Sequence, residues 1–460
     1  MKDADAPARS WRWWAPRRAS RWASRWALRW ARLWAQVFVL CLPLAASAAD
    51  VPKDAKHEGA ASCASSLCHG SSRPLDAHGV LQNEYVTWSQ FDPHSGAYRV
   101  LLGARSKQMA AHLGIGPAEK APQCLACHAE VVPAARRSPR HQLTDGVACE
   151  SCHGPSSAWL PTHHQSPTVT HADNLARGLV ALERPAVRAE TCIACHVGDA
   201  GRYASHAMMA AGHPRLVFDL ETYGELWRTS GGREHYRKAP SAAAAAAGAP
   251  EVWVAGLLTA TRRQLDLVGQ HAGRGGMTDF GVYACHSCHR DLRVAAFGGG
   301  AAADPVAGAP GELRLQDGNA RMLIVVAQSL GIATKDFAAA WTRAQSAVNR
   351  EPAQAAAAVA AARSALGRLG AALAPQRWQT AERQRVFDGL MRAARGGAFP
   401  DPAAAEQAAM GMVMLLAELD LDRSRKAQID RLFAALRDDN AFDRTRFARV
   451  LEQLDRDEGR

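Results

Sequence analysis

The sequence predicts a mainly α protein in two parts, a loop-rich domain dense in cysteine and histidine followed by an all-α helical bundle. Three observations carry this. Ten of the eleven cysteines stand in five close pairs between residues 63 and 288. Only 7% of residues are aromatic, and seven of the thirteen tryptophans lie in the first 34 residues, so the cysteine-bearing part has little with which to build an ordinary core. From about Asn319 to the end there is no cysteine and no histidine, and apolar residues recur every three to four positions.

In chain order, residues 1–49 read as a signal peptide. Lys2 and eight arginines face only Asp3 and Asp5 in the first 35 residues. The apolar run AQVFVLCLPLAASAA follows, and Ala46-Ser47-Ala48 has the small-x-small form of a cleavage site near residue 48. An apolar stretch of about 15–17 residues falls short of the roughly 20 needed to span a bilayer. Trp22, Trp26, Trp30 and Trp34 recur at every fourth position among arginines. On a helix that stripe suits an anionic membrane surface, should the N-terminus remain uncleaved. Most of the formal charge of +11 sits in this segment and no basic stripe recurs downstream, which argues against a nucleic-acid partner. Export places the remaining cysteines in an oxidising compartment, where disulfides are the first alternative for them.

Residues 50–294 hold the pairs Cys63/Cys68, Cys124/Cys127, Cys149/Cys152, Cys192/Cys195 and Cys285/Cys288. Each is followed at once by a histidine: His69, His128, His153, His196 and His289. With 18 histidines in 460 residues, five such successions by chance are on the order of one in ten million. Disulfides have no use for the following histidine, and structural zinc knuckles do not need one after every pair. Covalent haem does: two thioethers hold the porphyrin and the adjacent imidazole lies under the iron as proximal ligand. The pattern therefore predicts a pentahaem cytochrome c domain with five covalently attached haem c groups, which would themselves fill much of the core. The first pair, in CASSLCHG, has four intervening residues instead of two. It reads as a haem site with two surplus residues bulging outward, the alternative being a Cys63–Cys68 disulfide.

The stretch AAFGGGAAADPVAGAPGEL opens a Gly/Ala/Pro linker over 295–315. Residues 316–460 form the helical bundle domain, with helical periodicity over 319–349, 353–372, 376–396, 401–419, 422–438 and 441–457. In the fifth of these, Ile429, Leu432, Phe433 and Leu436 share one face. Breaks fall at Gly396-Gly397, Pro400 and Asp439-Asn440.

The stretches CLACHAE, GVACESCHGPSSAW, ETCIACHVG and GRYASHAMMAAGHPRL resemble the cytochrome c-554 family of multihaem cytochromes, over about residues 57–295. VWVAGLLTATRRQLDLV before VYACHSCHRDL looks like a helix leading into the last haem. The resemblance implies periplasmic electron transfer; the founding members look like four-haem proteins that take electrons from hydroxylamine oxidation, so a fifth site departs from them.

A haem with histidine on both faces only passes electrons, whereas one with an open face can bind a small molecule. His94, His163, His206 and His213 are the distal ligand candidates, each in a stretch where the resemblance is local. His112, His141, His164 and His271 are weaker ones, and Met208 and Met209 are packing residues or axial ligands. His286, inside the last motif, is either exposed or distal to a neighbouring haem. Arg233, His235, Tyr236, Arg237 and Lys238 make a solvated basic loop or an anion-binding cluster. The reading is a periplasmic cytochrome that relays electrons along five haems to periplasmic or membrane-bound redox proteins. The alternative is an oxidoreductase acting on hydroxylamine, nitrite or nitric oxide at one five-coordinate haem.

Overall fold

The computed structural model describes residues 52–74, 80–229, 248–272, 278–289, 312–376 and 378–456. The segment 1–49 expected to be a signal peptide, the 295–311 part of the expected linker and the cluster from Arg233 to Lys238 lie outside the described residues. Within these, secondary structure is helical, and β-pairing is limited to the isolated bridges His57–Arg137, Asp199–Arg202 and Tyr283–Leu315.

The cysteine-bearing part is made of short helices joined by loops: α1 (Glu84–Phe91), α2 (Ala97–Leu101), α3 (Ala104–Leu113), α4 (Pro122–His128), α5 (Cys149–His153), α6 (His171–Ala176), α7 (Pro185–His196), α8 (His206–Ala210) and α9 (Leu220–Thr229). Starts are encoded locally. Pro122 and Pro185 sit in the first turns of α4 and α7, where a missing N–H costs nothing, and Ser205 and Thr170 cap α8 and α6 through their hydroxyls. Aliphatic packing here is confined to small clusters, such as Ala60, Trp88 and Ala148, or Leu101, Ala110 and Ala118. Trp88 ties α1 to the loop before α5 by donating its indole N–H to Val147 O at 3.1 Å.

A long helix, α10 (Ala249–His271), joins this part to the bundle. One face packs on α7, where Glu190 pairs with Arg262 and, at 2.9 Å, with Arg263. The other enters the large core shared with the bundle helices α11 (Gly318–Ser329), α12 (Lys335–Arg350), α13 (Pro352–Leu373), α14 (Thr380–Arg395), α15 (Pro402–Glu418), α16 (Lys426–Leu436) and α17 (Arg444–Arg456). Trp253 of α10 is fully buried in that core, as are Leu265 and Val268, beside Trp341, Phe337, Phe387, Leu415 and Phe447. Burying each large apolar side chain stabilises the fold by about 1.5–3 kcal/mol.

The bundle follows the sequence periodicity with one difference. The first segment is two helices, broken at Leu330–Thr334. Gly331 takes φ +75°, and Ile332 N–H returns to Ala327 O at 2.8 Å, a left-handed helix stop that the unbroken apolar pattern conceals. In α16, Leu432 and Leu436 are buried while Phe433 remains 37% exposed at the edge of the predicted face.

The last motif is joined directly to the start of the bundle. Ala284 N–H donates to Arg314 O at 2.8 Å, Gln316 N–H to Val282 O at 3.1 Å, and Arg314 N–H to Ser287 Oγ at 3.3 Å.

Candidate haem-binding sites

Three of the five motifs fall at the C-terminal ends of short helices, and this explains their spacing. In a helix, positions i, i+3 and i+4 share a face. Cys124, Cys127 and His128 end α4; Cys149, Cys152 and His153 make up α5; Cys192, Cys195 and His196 end α7. The last motif runs through a single turn over Cys285–Ser287, and Cys288 follows it with its N–H donating to Cys285 O at 3.1 Å. None of these ten cysteines is joined in a disulfide, so all ten are left for attachment.

The first motif starts from the turn Ala60–Cys63 and closes differently. His69 N–H donates to Cys63 O at 3.3 Å, while Cys68 and Gly70 N–H both reach Ser65 O at 2.9 Å. The added residues are looped outward, with Leu67 85% exposed. A side chain at Gly70 would run into the carbonyl oxygen of Ala64, so the loop requires glycine there.

Two attachment residues depart from the expectation that every haem site contributes to a core. Cys68 and Cys288 are exposed, whereas the other eight thiols are half-buried. The cause is local in each case. Cys68 rides on the outward loop, and Cys288 follows a lone turn, which offers no helix face to cover it. His289, directly behind Cys288, is exposed as well. Motifs one and five therefore each carry an exposed cysteine, whereas motifs two, three and four carry only half-buried ones.

Four motif histidines each face one of the distal candidates. Ring centroids are 6.2 Å apart for His69 and His163, 6.0 Å for His196 and His94, 6.4 Å for His128 and His213, and 6.3 Å for His289 and His206. One metal ion held by a nitrogen of each ring sets the centroids on the order of 6 Å apart, from two bonds of about 2 Å and the half-widths of the rings. The four distances fit that demand. His153 closes α5, with its carbonyl accepting from Val180 N–H at 3.1 Å; the four distal candidates all lie opposite other motifs.

The second nitrogen of many of these rings is already engaged. His69 Nδ1 meets Glu84 Oε2 at 2.8 Å and His94 Nδ1 meets Asp92 Oδ1 at 2.8 Å. His128 Nδ1 donates to Ala97 O at 3.0 Å, His163 Nδ1 to Leu160 O at 2.7 Å, and His213 Nδ1 to Pro214 O at 2.8 Å. Fixing Nδ1 in this way leaves Nε2 for a metal and sets the ring's orientation. His206 is placed through its backbone: Asp279 Oδ1 accepts His206 N–H at 3.1 Å, Tyr203 O–H at 2.9 Å and Gly281 N–H at 2.7 Å.

Protonation follows the same geometry. Burial, with His94 opposite, holds His196 down at about 4, and burial also lowers His128 and His163, so these rings are neutral and able to ligate. The hydrogen bond from Glu84 raises His69; at His94 burial opposes charge and Asp92 outweighs it, raising that ring too. Carboxylates so placed make the imidazoles more basic ligands.

The motifs lie close to one another. The Cys63 and Cys149 sulfurs lie close together, as do those of Cys127 and Cys195, pairing motif one with three and motif two with four. Cys152 is near enough to Cys192 and Cys195 for their charges to act on it. The turn carrying His206 and His213 serves motifs five and two at once. Met208 and Met209 lie between those two histidines on α8.

Of the weaker candidates, His112 is exposed on α3, His164 stacks edge-on to His163, and His271 lies against Tyr203. His141 faces His57, a residue that motif spacing does not single out. His286 packs edge-on to Phe442 of the bundle, at 6.0 Å. The orienting groups carry no spacing signature either: Glu84 and Asp279 are brought to their histidines by the fold, and Asp92 reaches His94 locally from two residues before it.

No curated protein and no solved structure matches the chain. Residues 62–154, which contain the first three motifs, match the family model described as cytochrome c554 and c-prime, and this match supports a c-type cytochrome with covalently bound haem c and a role in redox or electron transfer.

Proposed function

We propose that the chain is a periplasmic cytochrome that carries five haems and passes electrons along them without transforming a substrate. The observation that carries this reading is the set of four motif histidines facing second histidines at 6.0–6.4 Å. Bound haem supplies one-electron oxidation and reduction at its iron.

The residues of the chain then have distinct tasks. With haem bound, His163, His94, His213 and His206 would supply a second imidazole beside His69, His196, His128 and His289 and so keep small molecules from the iron. Glu84 and Asp92 orient His69 and His94 and favour the oxidised, more positive iron. The thiol contacts between Cys63 and Cys149 and between Cys127 and Cys195 support close spacing of sites one and three and of two and four. Cys152 near Cys192 and the shared His206–His213 turn support an order of one, three, four, two, five. Redox partners would meet the ends of this series, at the CASSLCHG loop and at the last motif, the two places where an attachment cysteine, Cys68 or Cys288, is exposed.

Intact mass of the purified protein tests the haem count. Five haem additions are expected, with the Cys63→Ser/Cys68→Ser and Cys285→Ser/Cys288→Ser variants each losing one. Four additions in the native chain, with no loss in the first variant, would show that CASSLCHG attaches none.

A further inference from the structure

Beside the first and third motifs lies a group of side chains that the haem sites do not use. His57 is held by its backbone against the 136–138 segment, with His57 N–H donating to Arg136 O at 2.8 Å and Ser138 N–H to His57 O at 2.9 Å. Its Nδ1 lies 2.6 Å from Glu130 Oε1. One ligand atom from each of His57, Glu130 and Glu150 falls within 4.8 Å of the others. Glu130 and Glu150 are only 6% and 3% exposed. Two carboxylates so close in a buried place repel each other unless a positive charge stands between them.

Among the described residues, the nearby guanidinium groups are committed elsewhere. Arg140 pairs with Glu58 at 3.2 Å, Arg136 Nε donates to Ala55 O at 3.0 Å, and Arg137 Nε to Val132 O at 2.5 Å. Asp145 adds a further acid, pushed up by burial and close enough to feel both His141 and Glu130.

Donor capacity is left over in this group. Glu130 Oε2 is buried with no hydrogen-bond partner among the described residues, and so is His141 Nε2, whose ring stands perpendicular to that of His57 at 6.3 Å. Glu150 accepts Glu58 N–H at 2.9 Å, Gly59 N–H at 2.7 Å and Ser156 N–H at 2.7 Å. A carboxylate offers about four lone-pair directions, so one remains.

We propose that His57, Glu130 and Glu150 form a non-haem site for one divalent first-row metal ion. One imidazole and two carboxylates are a donor set for a Zn²⁺-like ion, and imidazole disfavours Ca²⁺ and Mg²⁺. The ion satisfies Glu130 Oε2 and offsets the paired carboxylates. It also clamps the start of the described chain to the loops that carry the second and third motifs.

The test is Zn²⁺ uptake by the full, haem-loaded chain, stripped with chelator, re-equilibrated with Zn²⁺ alone, gel-filtered and assayed by elemental mass spectrometry. One Zn²⁺ per chain is expected beyond the haem iron. Glu130→Gln and His57→Gln should each weaken uptake at least tenfold while haem absorption and haem content stay unchanged. His57→Gln keeps the backbone pairing with the 136–138 segment, so it decides the matter should Glu130→Gln fail to mature. No retained Zn²⁺ in the native protein overturns the proposal. Equal uptake by the native chain and His57→Gln overturns it as well.

Discussion

Glu84, 2.8 Å from His69 Nδ1, makes that imidazole a stronger donor to a positive iron. Glu84→Gln should therefore raise the midpoint potential of one haem, by on the order of 60 mV if the preference for the oxidised state weakens tenfold. Potentiometric titration reads this; an unchanged set of potentials would mean that Glu84 does not act through a ligand. His163→Ala should create one new high-spin ferric signal that is quenched by added imidazole, and its absence would remove His163 from the ligand set. Asp279 gives a pH dependence. Burial raises its carboxyl, but the donors His206 N–H, Gly281 N–H and Tyr203 O–H outweigh burial and lower it overall. Its contribution is therefore complete above the ordinary carboxylate value and lost as pH falls through the depressed one. Acid should release His206 first, read as a high-spin signal growing in below the usual aspartate range, and Asp279→Asn should show that signal already at neutral pH. The attachment cysteines and motif histidines were legible as spacing, because thioether attachment is a local demand on the chain. The exposure of Cys68 and Cys288 was not, because spacing carries no information on what covers a thiol. That His94, His163, His206 and His213 each face a motif histidine agrees with where the family resemblance pointed. Glu84, Asp279 and His57 were not legible, because folding alone brings them to their partners, and Asp92, two residues before His94, matches no motif.

Among the elements, α10 is the one whose environment its sequence hides. VWVAGLLTATRRQLDLV reads as a helix, but nothing in it says that α7 lies on one side and the bundle on the other. The contact with α15 depends on a glycine: a Cβ at Gly411 would sit 2.5 Å from Trp253 Cζ2 and 2.8 Å from Met322 Cε. Gly411→Ala should destabilise the protein by about 1–3 kcal/mol through overpacking, measured by denaturant unfolding. A neutral result would mean that α10 and α15 can separate at little cost. The bundle helices were legible from apolar periodicity and their stops from Gly396-Gly397, Pro400 and Asp439. The extra break at Leu330–Thr334 was not, since Gly331 lies inside an apolar run whose period carries through it.

At the scale of the molecule, two parts expected from composition share a core through α10 and a backbone splice at Ala284–Gln316. Arg215, two residues after His213, adds ion pairs to Glu406 at 2.9 Å and Asp439 at 3.1 Å in the bundle. A chain ended at residue 311 should lose the haem of the last motif and become prone to aggregation, because Trp253, Leu265 and Val268 would face water. Full haem content and monodisperse behaviour of that truncation would show instead that the cytochrome part stands alone. The measurement that tests the central claim most directly is electron paramagnetic resonance of the oxidised, fully loaded protein. The account predicts low-spin signals from four irons, each held by two imidazoles at motifs one, two, four and five, with no change of any signal on adding nitrite, hydroxylamine or nitric oxide. A persistent high-spin signal that responds to one of these would contradict it and make the protein an enzyme at that open haem.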